Sequence, residues 1–213
     1  MPVLGEETSI FPEDLLDTSS GGTSCHGWWV LYTRSRQEKV VARHLLSCEV
    51  GFYLPLIKRT LTYGRRRVTS RVPLFAGYLF VCGAEEARVS ALTSNQVSRV
   101  LPVIDGERLC SDLQRIRRLI AMNAPLTIES RLTRGHWVRI RRGPFEGLEG
   151  MVLKRLGQTR LVVSVDFIQQ GASIEVEDHW LELIGPRPGA DRRSGLGRAA
   201  AAITGGRKGL IRV

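Results

Sequence analysis

The chain has 213 residues, 43% of them hydrophobic, enough for one or two cores, since domains usually run roughly 100 to 200 residues. Its 31 Lys and Arg against 21 Asp and Glu give a net charge of +10, which favours polyanionic neighbours: DNA, RNA, ribosomes or an acidic protein surface. No apolar run approaches the roughly 18 residues of a membrane span, and the acidic beginning is opposite in charge to a signal peptide, so a soluble, cytoplasmic protein is expected.

The charge is uneven. Residues 1–26 carry Glu6, Glu7, Glu13, Asp14 and Asp17 and no Lys or Arg, whereas residues 186–213 carry Arg187, Arg192, Arg193, Arg198, Arg207, Lys208 and Arg212 against Asp191 alone. Both ends are rich in Gly, Ser, Pro or Ala and poor in aromatics, a composition that does not offset the entropy of ordering. They read as flexible tails, acidic over 1–26 and basic over 185–213. Cys25, Cys48, Cys82 and Cys110 are scattered, with no Cys-x-x-Cys pair and no zinc spacing; buried or idle thiols in a reducing cytosol are expected.

The first element is the bulky, β-prone run 28–33. Ser35 followed by Glu38 reads as a capping box, opening a helix with Val41, Leu45 and Cys48 on one face and ending at Gly51. The other face carries Arg36, Lys39 and Arg43 beside Arg34, either a solvated face or a basic stripe with a ligand. Residues 52–73 read as strand, turn, strand, with Arg65, Arg66 and Arg67 at a hairpin tip where Gly64 permits positive φ. Residues 74–81 form another buried strand, and Ala84-Glu85-Glu86 starts a short helix whose acids suit its N-terminal dipole. Residues 97–104 return to strand. Ser111 and Gln114 make a second possible capping box before the stripe Leu113, Ile116, Ile120.

That order predicts an α+β domain over residues 27–122, an antiparallel sheet with helices packed on one face. Residues 123–132, which lack a period and contain Pro125, read as a linker. Beyond it, 137–140, 151–153, 161–167, 173–176 and 180–183 are five short strands spaced as in a small closed barrel over residues 133–184.

The stretch from Val138 to Val152, with basic residues alternating with apolar ones before Gly143, Gly147 and Gly150, resembles the KOW motif of transcription and translation factors. With the Trp28-Trp29-Val30 strand and Phe75-Ala76-Gly77-Tyr78-Leu79-Phe80-Val81 upstream, residues 27–184 resemble the NusG family of transcription elongation factors, an N-terminal (NGN) α+β domain followed by an SH3-like KOW barrel. Residues 73–80 and 29–34 resemble the specialised RfaH-type antiterminators more than the housekeeping members. Ala76 stands where the family usually has Pro, and residues 166–176 depart from the housekeeping barrel pattern.

The resemblance implies a binding protein that docks on the clamp helices of RNA polymerase through its first domain, suppresses pausing or termination, and recruits a partner through its barrel. Polymerase docking needs aromatic anchors around an apolar hollow, for which the candidates are Trp28, Tyr32, Phe52, Tyr53, Pro55, Phe75 and Tyr78; ordinary core burial is the competing reading of each. Arg34, Arg36, Gln37, Lys39, Arg43 and His44 match the place where the RfaH type contacts the non-template DNA single strand, and Arg65, Arg66 and Arg67 are candidates for duplex DNA or the polymerase edge. In the barrel, Gly143, Pro144, Gly147 and Gly150 read first as turn chemistry, and Phe145, Phe167 and Ile168 as candidates for docking a small-subunit ribosomal protein or Rho.

The competing class is a KOW-type rRNA-binding ribosomal protein or ribosome maturation factor. His26, His44, His136 and His179 lie far apart and no nucleophile elbow, phosphate loop or metal cluster stands out, so neither enzyme activity nor a metal or cofactor is expected. The chain reads as a monomer. Val162, Val163, Val165, Ile174 and Val176 are β-branched and favour strands, so the second domain is expected as a barrel rather than a helical hairpin.

Overall fold

A computed structural model describes residues 7–17, 27–63, 66–123, 126–129, 136–155 and 158–185. In chain order the elements are β1 (Ile10–Phe11), β2 (Trp28–Thr33), α1 (Glu38–Ser47), β3 (Gly51–Tyr53), β4 (Leu56–Tyr63), β5 (Arg66–Pro73), β6 (Tyr78–Cys82), α2 (Glu85–Thr93), β7 (Val97–Val103) and α3 (Gly106–Ala121). They are followed by β8 (Thr127–Glu129), β9 (His136–Ile140), β10 (Glu149–Arg155), β11 (Gln158–Val165), β12 (Gln170–Glu175) and β13 (Leu181–Gly185). The first sheet runs β1-β3-β6-β2-β7, antiparallel throughout, and β4 and β5 form a separate two-stranded ribbon.

Helices cover both faces of the first sheet, not one. Side chains alternate along a strand, so Leu31, Leu79, Val81 and Phe52 pack with Val41 and Leu45 of α1 and Ala87 and Ala91 of α2. Val30, Phe80 and Tyr53 point the other way, into a cluster with Leu109, Leu113 and Ile116 of α3. The run Leu79-Phe80-Val81 carries the physical reason: consecutive apolar residues, all fully buried, belong to a strand covered on both sides.

Neither helix starts where a capping box was expected. The N-cap of α1 is Gln37, without a side-chain cap, and Glu38 turns inward instead, its Oε1 accepting the Gly77 amide at 2.6 Å. Gly51 opens β3, while the chain reverses after α1 at Glu49, with φ 55°. Helix α3 begins at Gly106, five residues before Ser111, capped by Asp105, whose carboxylate accepts the Arg108 amide at 3.0 Å. Gln114 spends its side chain on the Leu16 carbonyl.

That last contact belongs to a strap. Residues 7–17, expected as part of a flexible tail, add β1 to the sheet edge with Ile10 opposite Tyr53 and Phe11 opposite Phe52. Leu16 is fully buried in the α3 cluster. Glu7 pairs with Arg43 at 3.2 Å and Asp17 with Arg117 at 3.4 Å. An acidic segment is held here because the basic helices offer it partners and one leucine fills the core.

The second sheet runs β13-β9-β10-β11-β12-β8, antiparallel throughout. Residues 136–185 are thus strands, turns and one 3₁₀ turn (Asp178–Trp180) wherever they are described. The expected linker contributes β8, which pairs with β12. Leu161 to Val165 are buried without a break, so both faces of β11 are covered, and α3 is one of the elements against it.

Candidate functional site

Of the seven aromatic and proline candidates, five lie in the core. Trp28, Phe52, Tyr53, Pro55 and Phe75 are all buried, and burial pushes the Tyr53 phenol well above its ordinary range, with Arg117 opposing weakly. Tyr32 and Tyr78 remain at the surface. They sit opposite one another on β2 and β6 with ring centroids 5.3 Å apart, edge to face. Tyr32 is 42% exposed; partial burial, then its neighbour Tyr32, raises the Tyr78 phenol. Gly77, at φ +82°, presses against the Tyr32 ring, where a Cβ would approach to 3.0 Å.

The predicted basic stripe divides into three. Arg43 is engaged by Glu7 through both Nε and a terminal nitrogen. His44 ties α1 to α2, its Nε2 lying 3.0 Å from the Ser90 carbonyl and 3.0 Å from the Thr93 hydroxyl. Arg34 is exposed, while Gln37 stands half-buried at the start of α1. Arg36, held at φ 62° in the left-handed region, and Lys39 line a cleft with Lys58, Arg59 and Arg71 of the ribbon.

Those three ribbon cations were missed in the sequence. The signal was there: β4 and β5 pair so that Lys58 faces Arg71 and Thr62 faces Arg67, a register that follows once Tyr63 is set opposite Arg66. Of the predicted tip, Arg67 is exposed on β5, Arg66 is in β5, and Arg65 lies outside the described residues.

In the barrel the glycines are structural. Gly143 (φ +93°) packs on the Trp180 ring and Gly147 (φ +77°) closes the turn with its amide on the Ile140 carbonyl at 2.8 Å. Gly150 lets β10 approach β11, since a Cβ there would fall 2.5 Å from the Val162 carbonyl oxygen. The alternating arginines of the motif are held by acids, Arg139 by Glu149 and Arg141 by Glu182, and the Arg141 hydrogen bond holds the Glu182 carboxyl below its usual range. Pro144 is exposed, Phe145 half-buried against the core, Ile168 buried and Phe167 38% exposed.

Phe167 and Ile168 sit in the turn between β11 and β12, which is pinned to α3. Asp166 pairs with Arg108, and its amide donates to Asp112, itself 1% exposed. Arg115 binds Asp112 and stacks over the Trp137 ring at 5.5 Å. The charged side of α3, Arg108, Asp112 and Arg115 at i, i+4 and i+7, therefore joins the two domains.

Cys82 is disulfide-bonded, against the expectation of free thiols throughout; Cys48 and Cys110 are free, and burial, then Asp17, raises the Cys110 thiol. Among the described residues no group of three or more His, Cys, Asp and Glu is placed to hold a metal ion, and no helix is long and apolar enough to cross a membrane.

Residues 26–118 match the family model of NusG, described as transcription termination factor nusG. Curated proteins give no match. Among solved structures the chain is similar to NusG of Thermotoga maritima, studied for its domain interaction, at 21% identity over 75% of this chain and 97% of that one, with a TM-score of 0.40. It is also similar to the MjSpt4:Spt5 complex, at 14% identity over 74% and 98%, with a TM-score of 0.24.

Proposed function

We propose, on the premise that residues 26–118 belong to the NusG family, that this chain acts in transcription elongation by docking its first domain on RNA polymerase. The family match is the observation that carries the reading. The role is binding: a protein surface that grips the clamp helices needs exposed aromatic area, and the Tyr32–Tyr78 pair supplies it at the sheet surface. Pause suppression is the outcome that the resemblance to RfaH-type factors implies. Arg34, Arg36 and Lys39 take the non-template DNA strand, and the exposed Phe167 with the half-buried Phe145 takes the barrel's partner, a small-subunit ribosomal protein or Rho.

The test is elongation by the cognate polymerase on a template with known pauses, with and without the full chain. Faster pause escape, lost in the Tyr32→Ala/Tyr78→Ala variant together with polymerase binding, supports the proposal. Co-purification with ribosomal subunits and none with polymerase overturns it in favour of the ribosomal reading.

A further inference from the structure

The β4–β5 ribbon stands apart from both larger sheets, and its eight residue pairs extend about 27 Å at roughly 3.4 Å per residue. Its root is fixed: Leu56 and Leu74 are buried, and the Leu74 amide donates to the Pro55 carbonyl at 2.8 Å. Beyond the root both faces are open. Side chains alternate along each strand, so Thr60, Thr62, Arg67 and Thr69 share one face and Arg59, Val68 and Ser70 the other, and all of these are exposed. An isolated two-stranded hairpin is marginally stable in water, so a solvated ribbon of this length adds little to the fold's own core.

Its charge has one sign. Residues 56–73 contain six Lys and Arg and no Asp or Glu. Charge keeps an exposed strand edge from pairing with other chains, but acids or mixed signs serve that purpose equally well, whereas a single sign gathers polyanions. Elsewhere in the protein exposed arginines are matched by acids, Arg43 by Glu7, Arg139 by Glu149 and Arg141 by Glu182; neither strand of the ribbon supplies one. Shape then selects among polyanions. The major groove of B-form DNA, about 12 Å wide and 8.5 Å deep, admits a two-stranded β-ribbon, whose strands lie about 4.8 Å apart. The major groove of an A-form RNA duplex is too deep and narrow for side chains to read.

We infer that the β4–β5 ribbon is a finger for the major groove of a B-form DNA duplex, with its Thr60, Thr62, Arg67 and Thr69 face towards the base edges and Lys58 and Arg59 near its root on the phosphates. The groove face is donor-rich: the Thr60 and Thr69 hydroxyls lie 3.0 Å apart, Thr62 stands opposite Arg67, and arginine is matched to guanine O6 and N7 while threonine hydroxyls serve any base. Affinity therefore comes from the phosphate contacts and a mild preference for guanine from Arg67. This contact is separate from the α1 residues and from polymerase docking, neither of which it requires.

The experiment uses the full chain with three fluorescein-labelled probes, a DNA duplex, the RNA duplex of the same sequence and the DNA single strand, and reads anisotropy across a salt series. Lys58→Gln/Arg59→Gln removes two phosphate contacts, so on the DNA duplex it lowers the slope of log K against log salt by about 1.8, at roughly 0.9 per contact, and weakens binding roughly tenfold or more. Dimethyl sulfate footprinting reads the groove independently. Guanine N7 lies in the major groove and adenine N3 in the minor groove, so the parent protein protects N7 and leaves N3 reactive, and Arg67→Gln loses that protection. No binding of the DNA duplex at low salt, an unchanged slope, protection at N3 alone, or an equal loss on the RNA duplex or the single strand overturns the assignment. A ribbon charged for solubility alone protects neither atom, which overturns it too. The replaced side chains are exposed, so both variants keep the parent Tm, and because the parent footprint needs no variant, a folding defect in either leaves the test intact.

Discussion

Asp112 on α3 accepts the backbone amide of Asp166 at 3.0 Å, so a carboxylate of the first domain satisfies a buried donor of the second. Its other oxygen holds Arg115, and Asp166 in turn holds Arg108. The junction between the domains is therefore a charge-assisted network, and its members depend on each other.

Asp112→Ala leaves the Arg115 charge and the Asp166 amide without this partner, and losing one member of a buried pair costs about 3 kcal/mol. The expected result is faster hydrogen exchange at residues 166–169 and along the barrel side of α3, with the sheet domain's central strands unchanged. Exchange that stays slow at 166–169 would show that the apolar contacts alone hold the junction.

Leu16→Ala tests the strap. The side chain is fully buried, and truncating such a leucine costs about 3 kcal/mol with its cavity. Denaturant unfolding of the variant against the parent measures it. A flexible tail predicts no change at all.

Gly150→Ala drives a Cβ to 2.5 Å from the Val162 carbonyl oxygen. Backbone offers no side-chain escape, so β10 and β11 must part locally, at about 2 kcal/mol or more. Near-ultraviolet dichroism from Trp137, which faces Met151 across β9 and β10, and the thermal midpoint report the change. Gly147→Ala, strained in φ but 3.7 Å from its nearest neighbour, Arg118, costs less; the reverse ranking would contradict the close-approach argument.

Tyr53 gives a pH dependence with a definite sign. Burial raises its phenol in the folded protein above its ordinary value, so the neutral ring's share of stability is fully present below the unfolded value and is lost as pH rises beyond it towards the folded one. Denaturant midpoints should fall above about pH 10, and Tyr53→Phe should remove part of that fall. Tyrosinate absorbance from Tyr53 appearing well before unfolding would contradict its burial.

Much of this architecture was readable in advance because local chemistry and tertiary placement agree. The strand at 28–33, the short helix after Ala84 and the five barrel strands follow from β-branched runs, acids at a helix start and turn glycines. The failures share a cause, long-range contact. Nothing near Leu16 announces a partner 98 positions away at Gln114. Glu38 fits a capping box by spacing, yet the Gly77 amide claims it. Arg43 and His44 fit a nucleic-acid stripe by period and type, but Glu7 and the α2 groups Ser90 and Thr93 engage them. Aromatic residues suited to an anchor are equally suited to a core, and only the sheet's second helical layer decides that Trp28, Tyr53 and Phe75 belong inside.

The short strand β8 brings the second sheet close behind the first domain. With Thr127, Ile128 and Glu129 paired to Ser173, Ala172 and Gly171, that sheet begins six positions after α3 ends at Ala121. The same helix holds the β11–β12 turn through Asp112 and Arg108, so a short covalent connection and a charged junction brace one sheet against one helix.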